Sequence, residues 1–554
     1  MATISTSMIS HTGRRTPLGL SLGAIIIAAM AAIPLLAICA AFFTQGGSDW
    51  AHLATTTLPS YMANTAALMV ITGCLSFAIG VGTAWLMTAA TFPGQKLYEV
   101  GLVLPLAAPS YIIAYVYTDL LAISGPVQSW IRSMFGIDAA VAVLPNIRSL
   151  WGAGLMLALV LYPYVYLLAR AAFARQPGSQ YHAARSLGCG PTKAFLSVAL
   201  PGARPAIAGG LALALMETLA DFGVADYFAI PTFSTGIYRT WVGLGDIAAA
   251  LKLAAVLLVF VCLLVAFEGA SRRGKTDDGA RQSALLTKSP LGGWQAIAAS
   301  CACAAPILLG FLIPTAALLH YGLTSGDTAS AGDFLRYSWN SCRVAVITCL
   351  IGAALAVLLA YAQRLSKARP IGWSIRFATL GYALPGTLLA VGILGPLGSL
   401  DQHLTDALYR TGVWSGGLVL SGTTALLIYA YLIRFLTVSF NAVSGSLARI
   451  APATDAAART LGAGPSDVLL RVHIPMIRPG LAAACLLVFV DVMRELPATL
   501  ILRPFNFETL ATRVYRLASD ERLAEASTAS LAIIAIGLIP TVLITRSALQ
   551  REGR

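Results

Sequence analysis

The sequence predicts an all-α, polytopic membrane protein of about 12 transmembrane helices, arranged as two homologous six-helix halves. Three observations lead there. Hydrophobic residues make up 57% of the chain and charged residues 11%, with a mean hydropathy of +0.77. A soluble surface needs about twice that charge, which excludes an ordinary soluble protein. Apolar runs of roughly 20 residues, enough to cross ~30 Å of hydrocarbon as helix, recur from end to end. One polar segment also occurs twice, 274 residues apart: 183–205 and 457–479 align without a gap and are identical at 12 of 23 positions.

Six spans fall in each half: near 20–43, 62–90, 98–122, 150–173, 205–230 and 247–268, then 295–320, 340–362, 374–397, 416–440, 479–502 and 527–545. The first exceeds the ~7 to 15 apolar residues of a cleavable signal, so it is expected to be retained. Lys and Arg cluster at Arg170, Arg175, Arg185 and Lys193, at Arg272, Arg273, Lys275, Arg281 and Lys288, at Arg364, Lys367 and Arg369, and at Arg546, Arg551 and Arg554. This bias puts both termini in the cytoplasm. The net charge of +13 reflects the same bias and contact with anionic lipid; with no soluble basic domain, nucleic acid is not an expected partner. The halves are 1–268 and 295–554, joined by a polar cytoplasmic linker at 269–294. An even number of spans per half gives both the same orientation and places the pseudo-two-fold axis along the membrane normal. Asn64 matches Asn340 and Pro109 matches Pro385 at an offset of 276, while Arg239 matches Arg513 and Asp246 matches Asp520 at 274.

The nine Cys and six His lack zinc or redox spacing and read as filler. Gly269-Ala270-Ser271-Arg272-Arg273-Gly274-Lys275-Thr276 satisfies the phosphate-loop pattern. That motif works only between a buried strand and a helix, and here it follows a transmembrane helix, so the match is read as coincidence. No cofactor is expected on this chain.

Each duplicated segment reads as a short helix (Ala183, Ala184, Arg185; Ala457, Ala458, Arg459), a Gly stop (Gly188, Gly190; Gly462, Gly464), and a second short helix opened by Pro191 or Pro465, with Pro201 or Pro475 before the next span. A rigid helix-turn-helix on the cytoplasmic face suits docking into a groove on a partner. The loop resembles the "EAA" coupling motif of type I ABC importer permeases, and the resemblance implies that fold together with two copies of a separate cytoplasmic ATPase that carries ATP and Mg. The sequence departs from the motif at its first letter: His182 and Ala456 stand where the family has Glu, with Asp455 one residue early in the second copy. The copies also differ from each other, Lys193 against Asp467 and Ala199 against His473, which predicts unequal engagement of the two ATPase grooves.

After each loop, carboxylates stand four residues apart at matching repeat positions: Glu217 with Asp491, and Asp221 with Glu495. This spacing puts each pair on one helical face. A charge facing lipid at a helix centre costs about 2.5 to 3.5 kcal/mol, so four must face the bundle interior or a wet cavity. Counted from Pro205 at ~1.5 Å per residue, Glu217 lies ~18 Å and Asp221 ~24 Å along the helix, a ring near the external mouth. The ring reads either as interhelical pairing with Arg494, Arg239 or Arg513, or as a pathway for a hard cation such as Fe(III), Mg²⁺ or Mn²⁺, transiently ligated by the four carboxylates.

Several stretches resemble the fused ferric-iron ABC permeases of bacteria: Leu161 to Arg170, Glu217 to Gly223 through Asp226-Tyr227-Phe228, Gly236 to Trp241, and Glu495 to Thr499 through Arg503-Pro504-Phe505-Asn506-Phe507-Glu508-Thr509-Leu510-Ala511. The resemblance covers 97–268 and 338–545. It implies a multi-pass protein of the bacterial inner membrane that receives Fe(III) from a periplasmic iron-binding protein and passes it inward by alternating access. Tyr227, Arg239, Arg494 and Arg513 become candidates for a gate or for donor docking. Two alternatives stay open: a permease of this type for thiamine, phosphonate or polyamine, and an ion-coupled secondary transporter, which would have no use for the two loops.

Overall fold

The computed structural model describes residues 18–44, 50–135, 146–272, 288–324, 331–366, 368–411 and 419–552. Among the described residues ten helices are long and apolar enough to span a membrane, and two bent helix pairs raise the number to as many as twelve. The bent pairs are Gln95–Ala107 with Ser110–Phe135, turned by 93°, and Arg369–Ala383 with Gly386–Arg410, turned by 119°. They occupy the third span of each half, where the sequence suggested uninterrupted helices at 98–122 and 374–397. Pro109 and Pro385 sit at the two breaks with extended backbone. Proline has no N–H to continue the ladder and pushes its predecessor out of the helical region, so a matched Pro pair becomes a matched corner.

The fifth spans also differ from expectation. The second short helix of each loop runs straight into the membrane helix, giving single rods Pro191–Ala220 and Pro465–Met493. Both carry a π-helical turn at the same place, Phe195–Ala199 and Val468–His473. Their outer ends come at Ala220 and Met493, short of the expected 230 and 502, and each is followed by a separate short helix, Gly223–Tyr227 or Pro497–Leu502.

By contacts the chain forms two compact units that do not coincide with the sequence halves. One comprises Met1–Ile33, Ile347–Tyr382 and Tyr431–Val488; the other comprises Pro34–Val346, Ala383–Ala430 and Phe489–Arg554. In the first unit Ala24 and Ile27, from the opening helix Leu18–Ala41, lie in one apolar core with Ala356, Leu359, Ile375, Phe440 and Ile477. In the second unit Cys303 and Ile307, from the opening helix of the second half, lie in a core with Val81, Tyr162, Tyr166 and Ile207. Tyr117 Oη donates to Leu309 O at 2.6 Å beside that core. The opening helix of each half therefore packs with helices of the other half.

At the centre of the second unit, helix Leu150–Arg175 is flanked closely on two sides. A Cβ on Gly80 would stand 2.7 Å from Val165 Cβ, and one on Gly210 would stand 2.8 Å from Tyr164 O. Small residues are what let membrane helices approach so closely, since lipid offers no hydrophobic drive between them. The end of the linker is tacked to the second span: Ala90–Thr91 pairs in parallel with Ser289–Pro290, and Leu291 N donates to Thr91 O at 3.0 Å. Residues 273–287 of the linker, including Lys275, lie outside the described residues. Gly269 to Arg272, the first four residues of the phosphate-loop match, continue the helix Ile247–Arg272.

Candidate functional site

The two duplicated loops share a backbone path. The first helix is Gly178–Ser186 in one and Pro452–Thr460 in the other. Each ends on a left-handed glycine, Gly188 at φ 85° and Gly462 at φ 83°. The following amide closes a wide terminal ring, Cys189 N to Ala184 O and Ala463 N to Ala458 O, both 3.1 Å. This is how a helix satisfies its last carbonyls before turning away. Gly190 and Gly464, in contrast, keep negative φ and sit immediately before Pro191 and Pro465, the first residues of the next helices. At the tip of each loop stands a Leu the sequence reading passed over, Leu187 at 84% exposure and Leu461 at 88%. Its signal was its identity in both copies. Ala183, Arg185, Ala457 and the two Leu form an outward face, while Ala184, Ala458 and Arg459 are half-buried.

What fastens the loops differs. In the first half, Trp85 gathers Phe173, Tyr181 and Phe195 with ring centroids at 5.3, 5.5 and 4.8 Å, and Gln176 Nε2 donates to Ala199 O at 2.8 Å. In the second, Arg364 donates to both oxygens of Asp455, at 2.9 and 3.1 Å, and to Leu447 O and Ile450 O, at 2.7 and 2.9 Å. Asp455 Oδ1 also lies 2.7 Å from Nε2 of His473, a fully buried ring. Tyr361 Oη donates to Pro465 O at 2.7 Å and its ring packs on His473 at 5.6 Å. Burial alone would raise the Asp455 carboxyl, but the Arg364 and His473 bonds outweigh it and hold the group below the ordinary carboxylate range. The expected difference between Ala199 and His473 thus has a physical content, because His473 belongs to an ionic anchor its counterpart lacks.

The acidic corners are built differently from a ring of free carboxylates. Asp221 ends the long helix, and its Oδ1 accepts from Val224 N and Ala225 N at 3.0 and 3.2 Å, while Ser110 Oγ donates to Oδ2 at 2.9 Å. Glu495 does the same for the other half, accepting from Ala498 N, Thr499 N and Thr499 Oγ1 at 3.2, 3.2 and 3.0 Å. Both satisfy the orphan amides of the short helices that follow. Pro497, at the first helical position two residues after Glu495, was a readable helix-start signal. Asp491 takes Arg494 Nη2 at 2.5 Å, and Arg494 Nη1 donates to Leu106 O at 2.9 Å. Glu217 is half-buried one turn before Asp221. Among the described residues no three His, Cys, Asp or Glu stand close enough to hold a metal ion.

Arg239 pairs with Asp226 at 3.0 Å, and the guanidinium of Arg513 lies 5.6 Å over the Tyr337 ring. Their assignment as repeat partners is corrected by hydrogen bonding. Asn64 donates to Pro231 O and Asn340 to Glu508 O, and the reciprocal Thr232/Thr235 cap recurs as Thr509/Thr512. The offset here is 277, so Arg239 corresponds to Arg516 and Tyr238 to Tyr515. Further on, the left-handed residues Gly245 and Glu521 match at an offset of 276, which puts Arg522 opposite Asp246. A three-residue insertion in the second half, around Arg503 to Phe507, accounts for the shift and carries Phe505 at 99% exposure. Tyr227 lies beneath Arg148, 4.9 Å from guanidinium to ring centroid, and Arg148 also pairs with Glu521 at 3.4 Å.

Residues 76–268 match the family described as binding-protein-dependent transport system inner membrane component. The chain is 25% identical over 497 residues to an Fe(3+)-transport system permease protein of Haemophilus influenzae, an alignment covering 88% of this chain and 90% of the relative. It is 28% identical over 219 residues to the molybdenum transport system permease protein of Escherichia coli K12, covering 37% of this chain and 92% of that one. It is 27% identical over 151 residues to the sulfate transport system permease protein of the same organism, covering 27% and 51%.

Proposed function

We propose that this chain, a two-half permease subunit of the binding-protein-dependent ABC importers, carries ferric iron into the cytoplasm by alternating access. It is a transport subunit and not an enzyme, with ATP hydrolysis on a separate chain. The observation that supports iron is that the relative aligned through both halves, over 88% of this chain and 90% of its own length, is a ferric permease; the molybdenum permease, a shorter protein aligned over 92% of its length, matches only part of this chain. In this reading two ATPase copies dock on the faces that end at Leu187 and Leu461, each bringing its own ATP and Mg. A periplasmic iron-binding protein delivers the cargo, and both termini lie in the cytoplasm. The rods Pro191–Ala220 and Pro465–Met493 are the mechanical link, since each joins a docking loop to an acidic corner without a break.

The test is uptake into proteoliposomes holding the chain with its ATPase and binding protein, offered radiolabelled ferric iron, molybdate and sulfate in parallel. ATP-dependent accumulation of iron alone is expected. Uptake of molybdate or sulfate without iron overturns the proposal.

A further inference from the structure

The first acidic corner carries oxygen donors that neither helix capping nor Arg494 uses. Asp226 stands on the short helix Gly223–Tyr227. Its Oδ2 accepts from Oη of Tyr515, a second-half residue, at 2.6 Å, and its Oδ1 from Arg239 at 3.0 Å. Tyr515 and Tyr238 both flank the buried Phe222, with ring centroids at 5.7 and 4.8 Å. Tyr227, next to Asp226, meets Tyr115 edge-on at 4.4 Å. The Tyr115 side chain is fully buried, its hydroxyl has no hydrogen-bond partner among the described residues, and it lies within electrostatic reach of Tyr515, Tyr227 and Asp221. A buried hydroxyl without a partner costs about 1 to 3 kcal/mol; Tyr111, Tyr162 and Tyr166 carry the same cost among the described residues, and Tyr115 is set apart by its edge-on contact with Tyr227 beside Asp226.

We propose that Asp226, Tyr515 and Tyr115, with Tyr227 and Tyr238 around them, form the ferric-ion way-station of the pathway; the proposal rests on the ferric reading above. Phenolate and carboxylate oxygens are hard donors matched to a hard trivalent cation. On binding, water or carrier ligands leave the ferric ion, the O–H bond of Tyr515 breaks and its proton goes to water, Fe–O bonds form to the phenolate and to Asp226 in their place, and the iron keeps its oxidation state. Arg239, whose side chain is 51% exposed, releases Oδ1 to the iron and turns to solvent. When no cation is bound, Arg239 keeps Asp226 neutralised. Because Asp226 and Tyr515 belong to different halves, the site holds together only while the two corners meet. Separating them dismantles it and releases the ion.

The experiment titrates the purified full chain in nanodiscs with ferric nitrilotriacetate and follows the visible phenolate-to-iron charge-transfer band, confirmed by resonance Raman. Wild type should develop the band. Tyr515→Phe, which keeps the ring against Phe222, should lose it, and ferric uptake should fall with it while the melting curve stays in place. If Tyr515→Phe does not fold, Asp226→Asn is read instead: it removes the carboxylate ligand and should weaken the band and ferric uptake together. A wild-type protein that imports ferric iron without ever showing the band overturns the site and leaves the cargo standing, as does Tyr515→Phe with undiminished band and uptake. A transporter that imports molybdate or sulfate and no iron removes cargo and site together.

Discussion

Where the first half has Trp85, the second has Tyr361, at the 276-residue offset that also relates Asn64 to Asn340. Trp85 collects three aromatic rings around the first loop, whereas Tyr361 leans on His473 and bonds Pro465 beside an Arg364–Asp455 pair. The same loop is thus fastened once by apolar contact and once by charge. Tyr181 and Asp455 occupy one repeat position, a single residue before the place where the resembled family carries Glu. In both halves the fastening side chain stands one residue before that place, aromatic in one copy and acidic in the other. Apolar packing is indifferent to pH and salt, while a mostly buried ion pair fails badly when one member is lost.

The largest expected effect comes from breaking the ionic anchor. Asp455→Ala strands Arg364, whose side chain is 14% exposed, and the fully buried His473, at a cost of about 3 to 5 kcal/mol. Thermal unfolding in detergent and co-purification with the ATPase measure it; a variant with wild-type values for both would remove the ionic half of the comparison. Trp85→Ala should cost about 3 kcal/mol, with a loss that does not change between low and high salt. A salt-dependent loss there would show that the aromatic anchor is not apolar in character.

Acid should separate the loops next. Asp455 titrates below its ordinary range in the folded protein, so its stabilisation is complete above the unfolded value of about 4 and is lost as pH falls through the lower folded value. Hydrogen exchange should then show residues 452–465 opening at a pH where 178–191 remain protected; simultaneous opening contradicts the assignment. Smaller still is the effect of Gly188→Val or Gly462→Val. Nothing lies within 4 Å of a Cβ at either, so only the left-handed backbone is penalised, by about 1 to 2 kcal/mol. ATPase affinity should weaken in both by similar amounts, since the left-handed turn is common to the two loops. Smallest is Lys275→Ala: transport and hydrolysis by the complex should stay within about twofold of wild type, because Gly269 to Arg272 continue a membrane helix where the motif needs a turn after a buried strand.

Much of the fold was legible because its signals are local. Apolar runs gave the spans, and the duplicated segment at 183–205 and 457–479 gave the repeat, which the matched pairs Asn64/Asn340 and Pro109/Pro385 extend. The corner at each Pro was harder to read, since an apolar run of the right length hides a 93° or 119° turn. The partner of each opening helix was not legible at all: Ala24 and Ile27 would be equally apolar against any neighbour. Of the candidate pathway, the sequence supplied the acidic residues but not their employment. Asp221 and Glu495 are spaced like a ring, yet each is consumed by the amides of a following short helix, a role written in the Pro497 start signal and overlooked because the expected span ran through it. Asp226 and Tyr515 were invisible as a pair, being joined only across 289 residues of chain.

The crossed packing of the opening helices sets a timetable for biogenesis. Ala24 shares its core with Ala356, 332 positions later in the chain. At roughly 5 to 20 residues per second of synthesis, the first helix waits about 15 to 65 s in the bilayer before its neighbours emerge. Through that interval the early half is an incomplete bundle, missing one wall that only the later half supplies. Two such halves made as separate polypeptides would have to find each other and exchange helices in the membrane, whereas a single chain turns that encounter into an intramolecular event with a guaranteed one-to-one ratio.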